Sequence, residues 1–141
     1  MSRYTVRRFM TASPHSITSR NTLAEAHQTM RDRGVRHLPV VDDGKVIGVV
    51  SQRDLYLLET LRGVDSAREL VEDAMSAEPF VVEPDAALDE VAEAMAFHKH
   101  GSALVVEHAA IVGIFTTTDA LRALVSLLRR SRRGLEESDV D

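Results

Sequence analysis

The spacing of apolar positions in the first half of the chain predicts an extended segment, a helix, a β-hairpin and a second helix. Leu23, Ala26 and Met30 recur at the three- and four-residue intervals of an amphipathic helix. The apolar runs 38–41 and 46–50 are separated by Asp-Asp-Gly-Lys, which favours a tight hairpin turn. The second helix is marked by leucines at helical spacing: Leu55, Leu58 and Leu61.

Local residues indicate where these helices begin and end. Thr22 and Glu25 have the spacing of a capping box, and Gly34 suits the end of the helix that follows them. In the second half of the chain we expect Asp85 to cap the corresponding helix. We expect the final helix to end at Gly134, because basic residues suit a last turn and glycine commonly follows it.

The second half of the chain repeats the first. A shift of 65 positions superimposes residues 6–61 on residues 71–126 without a gap. We therefore assign repeat 1 to residues 1–63, repeat 2 to residues 64–134 and a disordered acidic tail to residues 135–141. Identical pairs include Met10 and Met75, Pro14 and Pro79, Gly48 and Gly113, and Asp54 and Asp119.

Repeat 2 is expected to contain the same elements as repeat 1, with a different hairpin turn. The runs 103–106 and 111–115 are its hairpin strands, and the intervening Glu107-His-Ala-Ala lacks glycine, so its geometry is left open. Its two helices are marked by Leu88, Val91 and Met95 and by Leu121, Leu124 and Leu128.

Each repeat carries the pattern Gly-x-x-Ser/Thr-x-x-Asp where the second hairpin strand meets the next helix. Residues 48–54 read Gly-Val-Val-Ser-Gln-Arg-Asp, and residues 113–119 read Gly-Ile-Phe-Thr-Thr-Thr-Asp. A hydroxyl three residues before a carboxylate is a capping box. The same groups also suit a nucleotide, because a helix N-terminus and a hydroxyl bind phosphate while a carboxylate binds ribose hydroxyls. The two interpretations are compatible, and the residues alone leave both open.

Composition excludes several classes of function. The 141 residues include no cysteine, which rules out disulfides, zinc–thiolate sites, iron–sulfur clusters and cysteine nucleophiles. No apolar run approaches the roughly 18 residues of a membrane span, and the N-terminus lacks the apolar core of a secretory signal. We therefore expect a soluble cytoplasmic protein with no membrane partner. An aromatic content of 4% and a formal charge of −5 argue against nucleic-acid binding.

The duplicated unit and its signature resemble a CBS domain pair, also called a Bateman module, over about 120 of the 141 residues. The Leu-Pro-Val-Val-Asp run at 38–42 and the Met-to-Pro openings of both repeats are also similar to that family. The resemblance implies an α+β fold in which two β-α-β-β-α repeats pack with pseudo-two-fold symmetry. It further implies a homodimer that binds an adenosyl ligand (AMP, ADP, ATP, NAD or S-adenosylmethionine) in the cleft between the repeats.

The resemblance also implies roles for particular residues. Asp54 and Asp119 would hold ribose, and Ser51 and Thr116 would lie at the phosphates. Basic residues just before the Leu-Pro-Val strand often meet phosphate in this family. The implied ligand-binding residues are Asp54, Ser51, Arg53, Arg36, His37, Asp119, Thr116, Thr118 and Lys99.

Charge makes the two repeats unequal. Residues 6–61 hold eight Lys/Arg and six Asp/Glu, a formal charge of +2. Residues 71–126 hold two Lys/Arg and ten Asp/Glu, a formal charge of −8. An anionic nucleotide should therefore bind more tightly in the half built on Asp54, while the Asp119 half is weaker or takes a less charged adenosyl ligand.

No constellation indicates an enzyme or a metal site. His98 and His100 have no third ligand nearby in the sequence, and no catalytic triad signature surrounds any serine. We expect a regulatory module that needs no cofactor, binds an adenine nucleotide and signals to an effector protein on another polypeptide. The alternative is a dimerisation or scaffold module with unoccupied clefts.

Overall fold

The computed structural model describes residues 4–138. Its central elements follow the order that the apolar spacing predicts, with a helix, a hairpin and a second helix in each repeat. The elements are α1 (Val6–Phe9), β1 (Thr11–Ala12), α2 (Leu23–Arg33), β2 (His37–Asp42), β3 (Lys45–Ser51), α3 (Gln52–Glu59), a 3₁₀ helix (Val71–Asp73), β4 (Val81–Val82), α4 (Leu88–His98), β5 (Ser102–Glu107), β6 (Ala110–Thr116) and α5 (Thr117–Ser138).

The two hairpins form the centres of two sheets with the same plan. One sheet has the strand order β1-β6-β5-β4, with β4 parallel to β5 and the other neighbours antiparallel. In the other sheet the β2–β3 hairpin is extended by one parallel and one antiparallel bridge. The 65-residue shift converts the bridges Ile17–Val40 and Val49–Ser76 into the strand pairs Val82–Val105 and Thr11–Ile114. The predicted α+β fold of two equivalent repeats is confirmed.

The first segment of each repeat packs against the core of the other repeat. Val6 is fully buried in the core of repeat 2, and Val71 is fully buried in the core of repeat 1. This reciprocal exchange gives the module its pseudo-two-fold symmetry. The packed units therefore differ from the continuous segments 1–63 and 64–134, whose boundary divides the sequence only. Two bridges related by the 65-residue shift join the repeats: Thr5–Ala87 and Thr22–Leu70.

Close packing explains the glycine of each signature. A Cβ atom at Gly48 would lie 2.5 Å from the Ser76 carbonyl oxygen and 2.9 Å from the Met75 sulfur. A Cβ atom at Gly113 would overlap the Met10 side chain. Neither glycine has a positive φ, so contact with the exchanged segment, rather than the conformation of the glycine itself, excludes a side chain there. Met10, Met30, Met75 and Met95 all pack in the two hydrophobic cores.

Both hairpins turn through two consecutive residues with positive φ, although only one turn contains glycine. Asp43 and Gly44 have φ values of 50° and 77°, and His108 and Ala109 have values of 52° and 65°. The helix ends are also matched, because Gly34 at φ 65° and Lys99 at φ 58° end α2 and α4 in the left-handed conformation. The predicted stop at Gly34 is confirmed, and repeat 2 adopts the same backbone without glycine.

Two local predictions about repeat 2 are wrong. Asp85 does not cap α4, because the N-cap of α4 is Ala87, which makes no side-chain hydrogen bond. The Asp85 carboxylate instead lies 3.5 Å from the Arg7 guanidinium. The last helix passes through Gly134 to Ser138, since one glycine in a helix is tolerated. Residues 135–138 of the predicted disordered tail are therefore helical, and residues 139–141 lie outside the described part.

The apolar face of α5 that the leucine spacing marks is exposed. Among the described residues of this helix, Ala123 is the buried apolar one, with Ala120 and Leu127 packed beside it. The helix therefore has two apolar faces, of which the one with small residues enters the core. None of the helices described between residues 4 and 138 is both long and apolar enough to cross a membrane. The exposed apolar side chains of α5 are Leu121, Leu124, Val125, Leu128 and Leu135.

Candidate functional site

A cavity of about 850 Å³ lies between the two repeats, on the side where β3 meets α3. This volume is within the range of small-molecule sites. Both repeats contribute to the wall, because the chain after the 3₁₀ helix and the end of α4 face the start of α3. The lining residues are Arg36, His37, Val49, Ser51, Gln52, Arg53, Asp54, Tyr56, Leu57, Thr60, Ser76, Glu78, Pro79, Phe80, Lys99, His100, Gly101 and Ser102.

The structure brings together most of the residues that the resemblance implies, and separates the rest. Asp119, Thr116 and Thr118 do not line this cavity. They lie at the pseudo-symmetric position, at the junction of β6 and α5. The predicted residues that do share the cavity are Arg36, His37, Ser51, Arg53, Asp54 and Lys99.

Asp54 is held by the capping box that the signature predicts. The Ser51 amide donates to Asp54 Oδ2 at 2.8 Å, and the Asp54 amide donates to Ser51 Oγ at 3.0 Å. These bonds use one carboxylate oxygen, and the other, Oδ1, has no hydrogen-bond partner within the described chain. Capping therefore fixes the carboxylate at the cavity wall and leaves one oxygen available as an acceptor, so the capping interpretation is confirmed and is compatible with ligand binding.

His37 lies at the centre of the interface between the repeats. A Cβ atom on Gly101 would lie 2.8 Å from His37 Nε2, so the imidazole occupies the space that a side chain at position 101 would need. This explains why repeat 2 has glycine where repeat 1 has Arg36. Burial lowers the pKa of His37; Asp54 opposes the shift and Arg36 adds to it. The ring is therefore neutral near neutral pH.

The cavity wall is cationic at one part and apolar at another. The guanidinium groups of Arg36 and Arg53 and the ammonium group of Lys99 face two carboxylates, those of Asp54 and Glu78. These five groups together give a formal excess of one positive charge, which favours an anionic ligand. The apolar part includes Val49, Leu57, Pro79 and Phe80.

The wall also contains an aromatic pair that the sequence did not predict. The rings of Phe80 and His100 stack with centroids 5.2 Å apart and planes inclined by 19°. Ser76 and Glu78 join the wall beside them. The sequence marks Ser76, Glu78 and Phe80 only by their place directly after the segment that repeat 2 exchanges with repeat 1. Among the described residues no group of three or more histidines and carboxylates could hold a metal ion.

The pseudo-symmetric carboxylate, Asp119, has a different environment. The Thr116 amide donates to Asp119 Oδ2 at 2.9 Å, which repeats the capping geometry of Asp54. The Thr11 hydroxyl donates to the second oxygen, Oδ1, at 3.0 Å, and the residue is only 5% exposed. The two signatures thus cap their helices alike, but only Asp54 borders the large cavity.

Comparisons with known proteins agree with this architecture. The CBS domain family model matches residues 6–58 and 71–126. The uncharacterized protein YlbB of Bacillus subtilis (strain 168) is 35% identical over 119 residues, covering 81% of this chain and 78% of YlbB. The crystal structure of AcuB from Vibrio cholerae superimposes with a TM-score of 0.82 and 32% identity, covering 92% of this chain and 96% of AcuB. CBSX2, from Arabidopsis thaliana, was solved in complex with AMP; it has a TM-score of 0.74 and 28% identity, with coverage of 88% and 98%.

Proposed function

The chain belongs to the CBS domain family as a tandem pair, and from this premise we propose that it is a regulatory module that binds an adenine nucleotide in the cavity at Asp54. The observation that carries the proposal is the available Oδ1 of Asp54, fixed by its capping box beside a cationic wall. Ribose hydroxyls would donate to Asp54, and the phosphates would bind Arg36, Arg53 and Lys99. The apolar part of the wall would hold the base.

The AMP complex of CBSX2, a structural neighbour with 28% identity, supports this choice of ligand class. The cationic excess of the wall favours phosphorylated ligands over S-adenosylmethionine, which carries no phosphate. AMP, ADP, ATP and NAD all satisfy that requirement.

Regulation would follow from the position of the cavity. A ligand there would contact α3 of repeat 1 and the end of α4 in repeat 2, so it would favour the arrangement of repeats that it binds more tightly. An effector on another polypeptide would read that arrangement, and no chemical step at the cavity is required. Cytoplasmic location and the lack of nucleic-acid and membrane partners stay predictions.

A thermal-shift panel of AMP, ADP, ATP, NAD and S-adenosylmethionine tests the proposal. A ligand at 100 times its Kd stabilises a protein by about 2.7 kcal/mol, which raises the Tm of a chain of this size by about 9 °C. GMP and pyrophosphate serve as controls for the base and for charge alone. No shift with any adenine compound at millimolar concentration, or an equal shift with pyrophosphate, would contradict the proposal.

We also propose that two copies of the chain associate through the exposed apolar residues of α3 and α5. The exposed fractions of these side chains run from 46% for Val125 to 66% for Leu135, and exposed apolar surface on this scale typically marks an interface. Light scattering should give a dimer, and Leu124→Glu with Leu128→Glu should give a monomer. A wild-type monomer would contradict this. A dimer that binds none of the adenine ligands would favour the scaffold alternative.

A further inference from the structure

Asp54 and Asp119 occupy equivalent positions in the two repeats, but only Asp54 has a carboxylate oxygen that accepts no hydrogen bond from the described residues. Asp54 accepts one bond, from the Ser51 amide, at Oδ2. Asp119 accepts bonds at both oxygens, from Thr116 at Oδ2 and from the Thr11 hydroxyl at Oδ1. The Arg122 guanidinium also lies 3.8 Å from Asp119 Oδ1. The oxygen that corresponds to the available one of Asp54 is therefore already used in repeat 2.

The hydroxyl that binds Asp119 comes from the exchanged N-terminal segment. Thr11 lies in β1, which pairs with β6 at Ile114 and Gly113. The equivalent residue that packs on repeat 1 is Ser76, from the segment exchanged by repeat 2. Ser76 pairs with Val49 and lines the large cavity. No hydrogen bond joins Ser76 to Asp54 in the described residues. The exchanged segment of repeat 1 therefore hydrogen-bonds Asp119, whereas the exchanged segment of repeat 2 leaves Asp54 facing the cavity.

We propose that Asp119 fastens the N-terminal segment to repeat 2 through Thr11, and that the module consequently binds one nucleotide per chain, at Asp54. The second part rests on the proposed function. A ribose at Asp119 would have to displace the Thr11 hydroxyl from a residue that is 5% exposed, and the displaced bond would offset the new one. Thr11 is a positioning residue for β1 and contacts no ligand.

Calorimetric titration of the full chain with ADP tests the ligand count. We expect one ADP per wild-type chain, an affinity lowered about tenfold or more by Asp54→Asn, and an affinity within about twofold of wild type for Asp119→Asn and Thr11→Val. Two ADP per chain, or equal losses in the Asp54 and Asp119 variants, would overturn the proposal.

Hydrogen exchange of the unliganded protein tests the fastening separately. We expect the amides of residues 6–12 to exchange about tenfold faster in Thr11→Val and Asp119→Asn than in wild type. The control is Thr29→Val, which removes a hydroxyl that donates only to the Glu25 carbonyl within α2. Unchanged exchange in Thr11→Val would overturn the fastening alone. Absence of ADP binding in the wild type would instead remove the ligand count together with the proposed function.

Discussion

The two signature glycines should respond differently to the same substitution. At Gly48 an added Cβ would lie 2.5 Å from the Ser76 carbonyl oxygen, which accepts the Val49 amide at 3.1 Å. That oxygen cannot withdraw without weakening a bond of the sheet. At Gly113 the three atoms nearest to the added Cβ all belong to the Met10 side chain, which has three rotatable bonds and can move.

These contacts set the expected magnitudes. Overpacking in a rigid site costs about 1–3 kcal/mol, and alanine in a strand regains about 0.5–1 kcal/mol over glycine. For Gly48→Ala the cost is at the upper end, which leaves a net loss of about 2 kcal/mol. For Gly113→Ala the two terms nearly cancel. With about 3.4 °C of Tm per kcal/mol for this length, we expect losses of about 7 °C and under about 2 °C.

Differential scanning calorimetry on the two variants and the parent measures both losses. Gly134→Ala is the control, because an added Cβ has no atom within 4 Å there and alanine is favoured in a helix interior. It should raise the Tm by about 3 °C. Equal losses at Gly48 and Gly113, or a larger loss at Gly113, would refute the argument that the backbone of the exchanged segment confines Gly48.

Three further outcomes follow from single groups. Because Ala109 has a φ of 65° and a left-handed L residue costs about 1–2 kcal/mol, Ala109→Gly should raise the free energy of unfolding in urea by about 0.5–1 kcal/mol after the entropy of glycine is subtracted; no gain would mean that the turn relaxes. Burial raises the pKa of Glu59, but hydrogen bonds from His27 and Ser66 outweigh it and lower the pKa below 4.5. The stability that this carboxylate contributes is present above its unfolded-state pKa and lost as pH falls through the folded-state pKa, so Glu59→Gln should be less stable than the parent at neutral pH and equal to it in acid; a gap independent of pH would contradict this. Burial lowers the pKa of His37, so the unfolded chain binds more protons below about pH 6.5 and this group reduces stability there. A bound phosphate favours the protonated ring, so ADP affinity should rise from about pH 7.5 to about pH 6 in the parent and stay flat in His37→Gln.

Local chemistry explains why part of this structure could be predicted. The box of Thr22 and Glu25 and the box of Ser51 and Asp54 form because partners three residues apart meet at any helix start. The gapless 65-residue register indicates two equivalent units, and the matching bridges confirm that equivalence. The prediction at Asp85 fails because α4 begins at Leu88, which makes Ala87 the N-cap and leaves Asp85 two residues too early; its carboxylate instead lies near Arg7 of the exchanged segment.

The features of the structure that could not be predicted depend on contacts between segments that are distant in the sequence. Leucine spacing shows that α5 has an apolar face, but the core accepts the face of small residues around Ala123. The bond from Thr11 to Asp119 joins residues 108 positions apart. The Phe80–His100 pair lies within repeat 2 and forms where β4 pairs with β5, between residues 20 positions apart. No local pattern contains this information.

A crystal structure of the full chain grown with ADP tests the central claim most directly. The account predicts one nucleotide in the cavity between the repeats, with a ribose hydroxyl within hydrogen-bond distance of Asp54 Oδ1 and the phosphates beside Arg36, Arg53 or Lys99. Asp119 should keep its bond from Thr11. ADP bound elsewhere, or with its ribose on Asp119 and Thr11 displaced, would contradict the account.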